Sequence, residues 1–322
     1  YYPKVAANAV TKIVTDANSV SMRYSTNGGA NWSAYFAYTS GTTPVTLPAE
    51  SSSPYNVQVM FRDNAGNEST ALTWAIVAGL YYDNTGPTVT DATFTLTEAA
   101  TSASALDSRY YTTSASNRVN CAVTDTGGGR YIATSTNGGT GWSAYSAYAT
   151  GTSTVALSNS ASAYNVKVKF CDGAGNESAV ISYVYGNSLY CDTGTPVPTG
   201  STFTLTGPAQ STMPGNTNYY TKVAPNAVTN NVTDTNPVYM RYVTDGGTGW
   251  SAYAAYTNGT TPVTLPGESA TAYDVQVMFS DGAGHATSAL TWANGTALYY
   301  DNTAPTVTDA TFTLTEAATS AS

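Results

Sequence analysis

Basic residues are scarce in this chain. Eleven Lys and Arg stand against 20 Asp and Glu in 322 residues, a formal charge of −9. That balance excludes the basic patches that phosphate-backbone binding requires, so nucleic acid is not an expected partner. Charged residues of all kinds are only 10%, against roughly 25% in an average soluble domain. Histidine occurs once, at His285, which removes His-rich metal centres and leaves a His-based catalytic triad no redundancy. Cysteine occurs three times, as Cys121, Cys171 and Cys191, all within one stretch. No apolar run approaches the ~20 residues of a bilayer-spanning helix. No window holds a helical hydrophobic period. What the chain does have is Thr, 26 Tyr, 28 Gly and 42% apolar residues, a β-branched and aromatic composition that favours strands. It begins at Tyr1, the form expected of a processed product or a fragment.

Self-comparison gives the organisation. Tyr1-Tyr2, Tyr110-Tyr111 and Tyr219-Tyr220 open three stretches 109 residues apart, and Asp63, Asp172 and Asp281 keep that spacing. So do Asp83, Asp192 and Asp301. The period is too long for a solenoid or propeller blade, roughly 20–50 residues, and fits one sandwich domain of about 100. Residues 81–104 and 299–322 differ only at Gly86 against Ala304.

Within each copy the clearest strand is residues 55–61, repeated at 164–170 and 273–279. Tyr, Val, Val and Phe alternate with mostly polar residues there, the period of a strand with one face in a core. Asn27-Gly28-Gly29 and Asp245-Gly246-Gly247 supply the positive φ angles of tight hairpins. Further strands are expected at 9–15, 44–47, 71–76 and 93–97. The run Tyr-x-Val-x-Val-x-Phe-x-Asp-x-Ala-Gly-Asn, followed by Tyr-Asp-Asn-Thr-x-Pro-Thr-Val, resembles the bacterial immunoglobulin-like repeats of large surface and adhesin proteins. The resemblance covers essentially the whole chain. It implies an all-β fold of tandem immunoglobulin-like Greek-key β-sandwiches in an elongated array, an extracellular or cell-surface setting, and a tyrosine corner at the Tyr opening that strand.

In such a sandwich the first strand follows the linker. The expected domains are therefore 1–84, lacking its first strand, then 85–192 and 193–302, both complete, and 303–322, a first-strand segment of a further domain. The tail residues Thr311, Phe312, Thr313 and Leu314 are of the kind that domain 1–84 lacks. Two readings follow: these modules continue a longer repeat chain, or the tail of one copy completes the first module of another, head to tail. Either gives a stalk or filament, a structural protein and not an enzyme.

Recurrent acids are the most informative polar feature. Asp83 is expected to approach Asp125 and Asp172, and Asp192 to approach Asp234 and Asp281. Asp301 would meet Asp16 and Asp63 of a following subunit. Converging carboxylates suit Ca²⁺, which takes six to eight oxygens; the simpler alternative is that each caps a turn. Trp32, Trp142 and Trp250, with neighbouring tyrosines, are either core cover or platforms for glycans. In an oxidising setting one pair of the three cysteines, not identified by the sequence, would bridge and the odd thiol would be left to cross-link a neighbour. His285, in a turn, is expected to be solvated.

Overall fold

The computed structural model describes residues 1–76, 79–126 and 128–313. Among these there is no helix, and hence none long and apolar enough to cross a membrane. The chain forms two compact units, one spanning residues 1–104 and 108–193, the other 194–322 with 105–107. The first contains two modules and the second contains one.

The second module shows the plan most fully. Its strands follow the order Ser146–Ala147, Tyr131–Ser135, Lys167–Cys171, Ile181–Tyr183, Thr93–Leu96, Ser116–Asn120, Thr154–Ala156. Thr93–Leu96, the earliest of these seven in sequence, stands in the middle and joins two layers. It runs parallel to Ile181–Tyr183, with Thr93 opposite Ser182 and Phe94 opposite Tyr183. It runs antiparallel to Ser116–Asn120, with Leu96 opposite Val119. Period-two alternation sends Thr93 and Thr95 outward and Phe94 and Leu96 inward, onto a core of Val119, Ile132, Val155, Val168, Phe170 and Tyr183. In the second unit Thr202–Leu205 repeats this placement between Leu290–Trp292 and Pro225–Thr229. The expected all-β tandem sandwich is thus the fold of this chain.

The tyrosine corner is present in every module. Tyr55, Tyr164 and Tyr273 each donate a hydroxyl hydrogen bond to the backbone carbonyl six residues upstream, at Ala49, Ser158 and Gly267 (2.6, 2.8 and 2.5 Å). A second repeated anchor was not expected. Tyr38, Tyr148 and Tyr256 donate to the carbonyls of Lys12, Cys121 and Asn230 at 2.6 Å, while their rings pack edge-on against Phe61, Phe170 and Phe279.

The first module departs from this plan in one place. Its two sheets are not stitched together: Ala7–Ala9 pairs only with Pro44–Thr46, and Leu72–Thr73 pairs only with Gln58–Arg62. Of the strand expected at 9–15 only Ala9 lies in a strand, the observed element being Ala7–Ala9. In the second module the stretch aligned with residues 14–15, Val123–Thr124, pairs with Thr88–Val89. Val10 and Trp74 are only half-buried, whereas their repeats Val119, Val228, Tyr183 and Trp292 are buried. Between the two sheets runs a groove of about 580 Å³, lined by Val10, Val45, Leu47, Val59, Leu72 and Trp74 among others.

The three cysteines are free buried thiols, so the expected bridge does not form. Cys121, Cys171 and Cys191 serve as small apolar residues of the second module, and burial raises the pKa of each.

The inward position of the first strand sets a stability expectation. Phe94→Ala should destabilise the first compact unit by about 3–5 kcal/mol, the range for a large buried aromatic cut to Ala. Ile13→Ala, at a side chain 85% exposed, should stay within about 0.5 kcal/mol. Guanidinium unfolding followed by tryptophan fluorescence checks both.

Candidate functional site

The acids recur in one turn, but their surroundings differ between copies. After each Tyr-Val-Val-Phe strand an Asp closes a tight turn onto the residue four positions on. Asp172 accepts from the backbone N–H of Asn176 through Oδ1 and from its side-chain amide through Oδ2, both at 2.8 Å. Asp63 makes the same pair of bonds to Asn67, at 2.8 and 2.7 Å. Asp281 accepts from the N–H of His285 at 3.0 Å, and His285 Nδ1 lies 2.9 Å from its other oxygen. The single histidine is therefore half-buried and stands in for an amide; it is not a solvated substitution. The turn-capping role holds at all three positions.

Beyond capping, the first compact unit gathers carboxylates. Asp83, Asp125 and Asp172 place ligand oxygens within 4.8 Å of one another; the approach of Asp83 to the other two is the one expected from where the loops of tandem sandwiches lie. Asp172 is brought there by its strand and turn, Asp125 by the end of Val123–Thr124, and Asp83 by the linker between modules. The Asn176 amide also donates to the Asp83 backbone carbonyl at 3.2 Å. Lys4 reaches across to the carbonyl of Gly175 at 2.6 Å, so both modules share this junction.

Asp83 is the unusual member. Its side chain is fully buried, yet neither carboxylate oxygen accepts a hydrogen bond. Burial, then the negative charges of Asp172 and Asp125, raise its pKa from 3.8 to about 6. The nearby Thr85 N–H favours the anion but forms no bond of normal geometry. By contrast, Asp63 in the same turn of the first module is held below its ordinary value by the Asn67 amide and N–H.

The remaining acids have other settings. Asp16 and Asp234 each accept an N–H two residues on, from Asn18 and Asn236, at 2.8 Å. Asp301 is exposed and accepts from the N–H of Thr303 at 3.1 Å. Asp192 belongs to the first compact unit, and Asp234 and Asp281 to the second.

Two recurrent features are not apparent from the sequence alone. Glu50, Asn159 and Glu268, one repeat apart, clamp the linker leaving each module. Glu50 accepts from Asn84 N–H and Thr85 hydroxyl (2.8 and 2.6 Å), Asn159 from both donors of Thr193 (2.8 and 2.7 Å), and Glu268 from Asn302 N–H and Thr303 hydroxyl (2.6 and 2.9 Å). Their 109-residue spacing was the available signal. The second feature is a cation between two rings. Arg23 lies over Trp32 and Tyr35, Lys169 over Trp142 and Tyr145, and Arg241 over Trp250 and Tyr253, at 4.9–5.4 Å. Arg23 and Arg241 pair across the sheet with Met60 and Met278, whereas Ala133 pairs with Lys169. The charge has crossed to the neighbouring strand and kept its aromatic seat. Each tryptophan candidate for glycan stacking thus already carries a side chain of its own module.

No family model matches the chain, and no curated protein matches it. Among solved structures it is similar to the fibronectin(III)-like modules of CbhA from Clostridium thermocellum, at 14% identity over 56% of this chain and 82% of that one, TM-score 0.27. The FN1–FN3 domains of chicken CNTN1 match at 10% identity over 85% and 89%, TM-score 0.24. Domains 7, 8 and 9 of the S-layer protein SbsC match at 12% over 89% and 82%, TM-score 0.19. The sandwich assignment rests on this chain's own strands and tyrosine corners.

The Asp83 environment sets a pH dependence. A carboxyl with a folded-state pKa above its unfolded value stabilises the protein below the unfolded pKa, and that contribution is lost as pH rises through the folded value. Chelator-treated protein should therefore lose stability between about pH 4 and 6, by up to about 3 kcal/mol for a displacement of ~2 units. Asp83→Asn should flatten that limb. Denaturant midpoints measured across this range in EDTA check it, and an unchanged slope in the variant would contradict the assignment.

Proposed function

We propose that this chain is an extracellular structural protein whose tandem sandwiches act as the spacer units of a stalk or filament. We further propose that the groove of its first module is closed by the tail of a second copy. The observation that carries the reading is the groove itself, which lies where the other two modules seat a Thr-Phe-Thr-Leu strand. The segment Thr311, Phe312 and Thr313 has that sequence. It is exposed and outside any strand, with Phe312 86% exposed; Leu314 lies outside the described residues. Set in the groove as Thr93–Leu96 is set in the second module, it would run parallel to Leu72–Thr73 and antiparallel to the chain around Val10. Phe312 would then meet Trp74, as Phe94 meets Tyr183. Burying a Phe and a Leu contributes about 1.5–3 kcal/mol each, and the added strand satisfies two open sheet edges.

The fit has one mismatch. Glu98, which follows the strand in the second module, pairs with Arg118, and Ala9 takes the place of Arg118 in the first. By sequence the tail carries Glu316 at the Glu98 position, so its partner there would be a backbone N–H alone. That weakens self-completion without closing the groove to it.

Light scattering on the size-fractionated full chain tests the reading. Wild type should form concentration-dependent head-to-tail oligomers, and Phe312→Asp should remain monomeric with unchanged melting of the complete modules. A wild-type chain that stays monomeric at tens of micromolar, and gains no thermal stability from added peptide of residues 309–322, would overturn completion by a second copy.

A further inference from the structure

We infer that Asp83, Asp125 and Asp172 form a calcium-class cation site at the junction of the first two modules. The convergence of three carboxylates within 4.8 Å would not carry this alone, since acidic clusters are common on surfaces. The independent observation is Asp83, which is fully buried with both oxygens lacking a hydrogen-bond partner. A buried carboxylate left this way is costly unless it is paired or coordinates a metal. No Lys or Arg forms an ion pair with it among the described residues. The facing groups are Asp125, Asp172, Glu50 and the Tyr2 phenol, so the surroundings add negative charge.

The donor set names the class of ion. All three converging atoms are carboxylate oxygens, the hard ligands preferred by Ca²⁺ and Mg²⁺ over the softer metals. Cys171 is adjacent in sequence, but its thiol donates to the Asp172 carbonyl at 3.3 Å and is not among the converging atoms. The three carboxylates come from a linker, a strand end and a turn, on separate segments of the chain. That is a looser cage than the strict octahedron Mg²⁺ demands, and it favours the larger ion. Asn176 supplies outer support by holding both Asp172 oxygens and the Asp83 carbonyl. A recess of about 160 Å³ bounded by Thr85, Gly86, Thr88, Thr124, Asp125 and Thr126 gives Asp125 an approach from solvent. Calcium there would tie the linker to two loops of the second module. This inference does not depend on strand completion by another copy.

The test uses the full chain, stripped with EDTA and titrated with CaCl₂ by calorimetry and thermal melting. Calcium should raise the melting temperature of the first compact unit by about 5 °C or more, the response expected of a site well above its Kd. Asp125→Asn should weaken the corresponding affinity at least about tenfold, and Asn176→Ala should weaken it within the 10–100-fold range of a lost supporting hydrogen bond. Asp63→Asn, at the same turn of the first module, should leave it unchanged. Asp83→Asn should abolish the response; should that variant not fold, Asp125→Asn, altered at a half-exposed position, decides the question. Wild-type calcium affinity in Asp125→Asn would overturn the site. So would a melting shift reproduced by NaCl of matched ionic strength.

Discussion

The fold depends on a strand that must satisfy two sheets at once. A two-layer sandwich has open edges wherever its layers fail to meet, and exposed edges leave backbone groups and core side chains without partners. In the second and third modules a four-residue strand resolves both problems, pairing on either side and burying one Phe and one Leu. Among the described residues of the first module no strand takes that place. There the neighbouring strand, Ala7–Ala9, has three residues against five in the other two modules, Val10 and Trp74 are half-buried, and a groove runs along the core. The rest of that module's core, Met22, Val45, Leu47, Val57, Val59, Phe61 and Leu80, is buried nonetheless.

Much of this was legible in the sequence because the signals repeat. Alternation in residues 55–61 specified the half-buried central strand, and its three copies removed ambiguity of register. The convergence of Asp83, Asp125 and Asp172 also followed from modular geometry. What the sequence did not reveal were contacts whose partners change identity between copies. The cation that sits between Trp and Tyr is Arg23 in one strand and Lys169 in the next, so no column of the repeat displays it. The cysteines misled for a related reason: oxidising chemistry suggested a bridge, whereas packing uses each thiol as a small apolar group. His285 read as a surface residue because its counterparts in the repeat are asparagines, yet imidazole Nδ1 can replace an amide nitrogen in the same turn.

Identical turns acquire different electrostatics from their surroundings. Asp63 and Asp172 make the same two hydrogen bonds. Beside Asp172, the linker from the first module delivers Asp83 into a place where it is fully buried and negative charge accumulates. A capping residue becomes part of a charge cluster without any change in its own bonds. The cluster belongs to the module boundary and not to either module alone.

The side-by-side, same-direction arrangement of Thr93–Leu96 and Ile181–Tyr183 has a mechanical corollary. Tension entering at the start of the module and leaving at its end drags these neighbours past each other along their length. Every rung of the ladder is then strained together, where an opposed hairpin would part rung by rung. Resistance to such pulling is governed by the unfolding barrier and not by equilibrium stability. A short segment placed where force arrives can therefore act as a tensile fastener for the whole module.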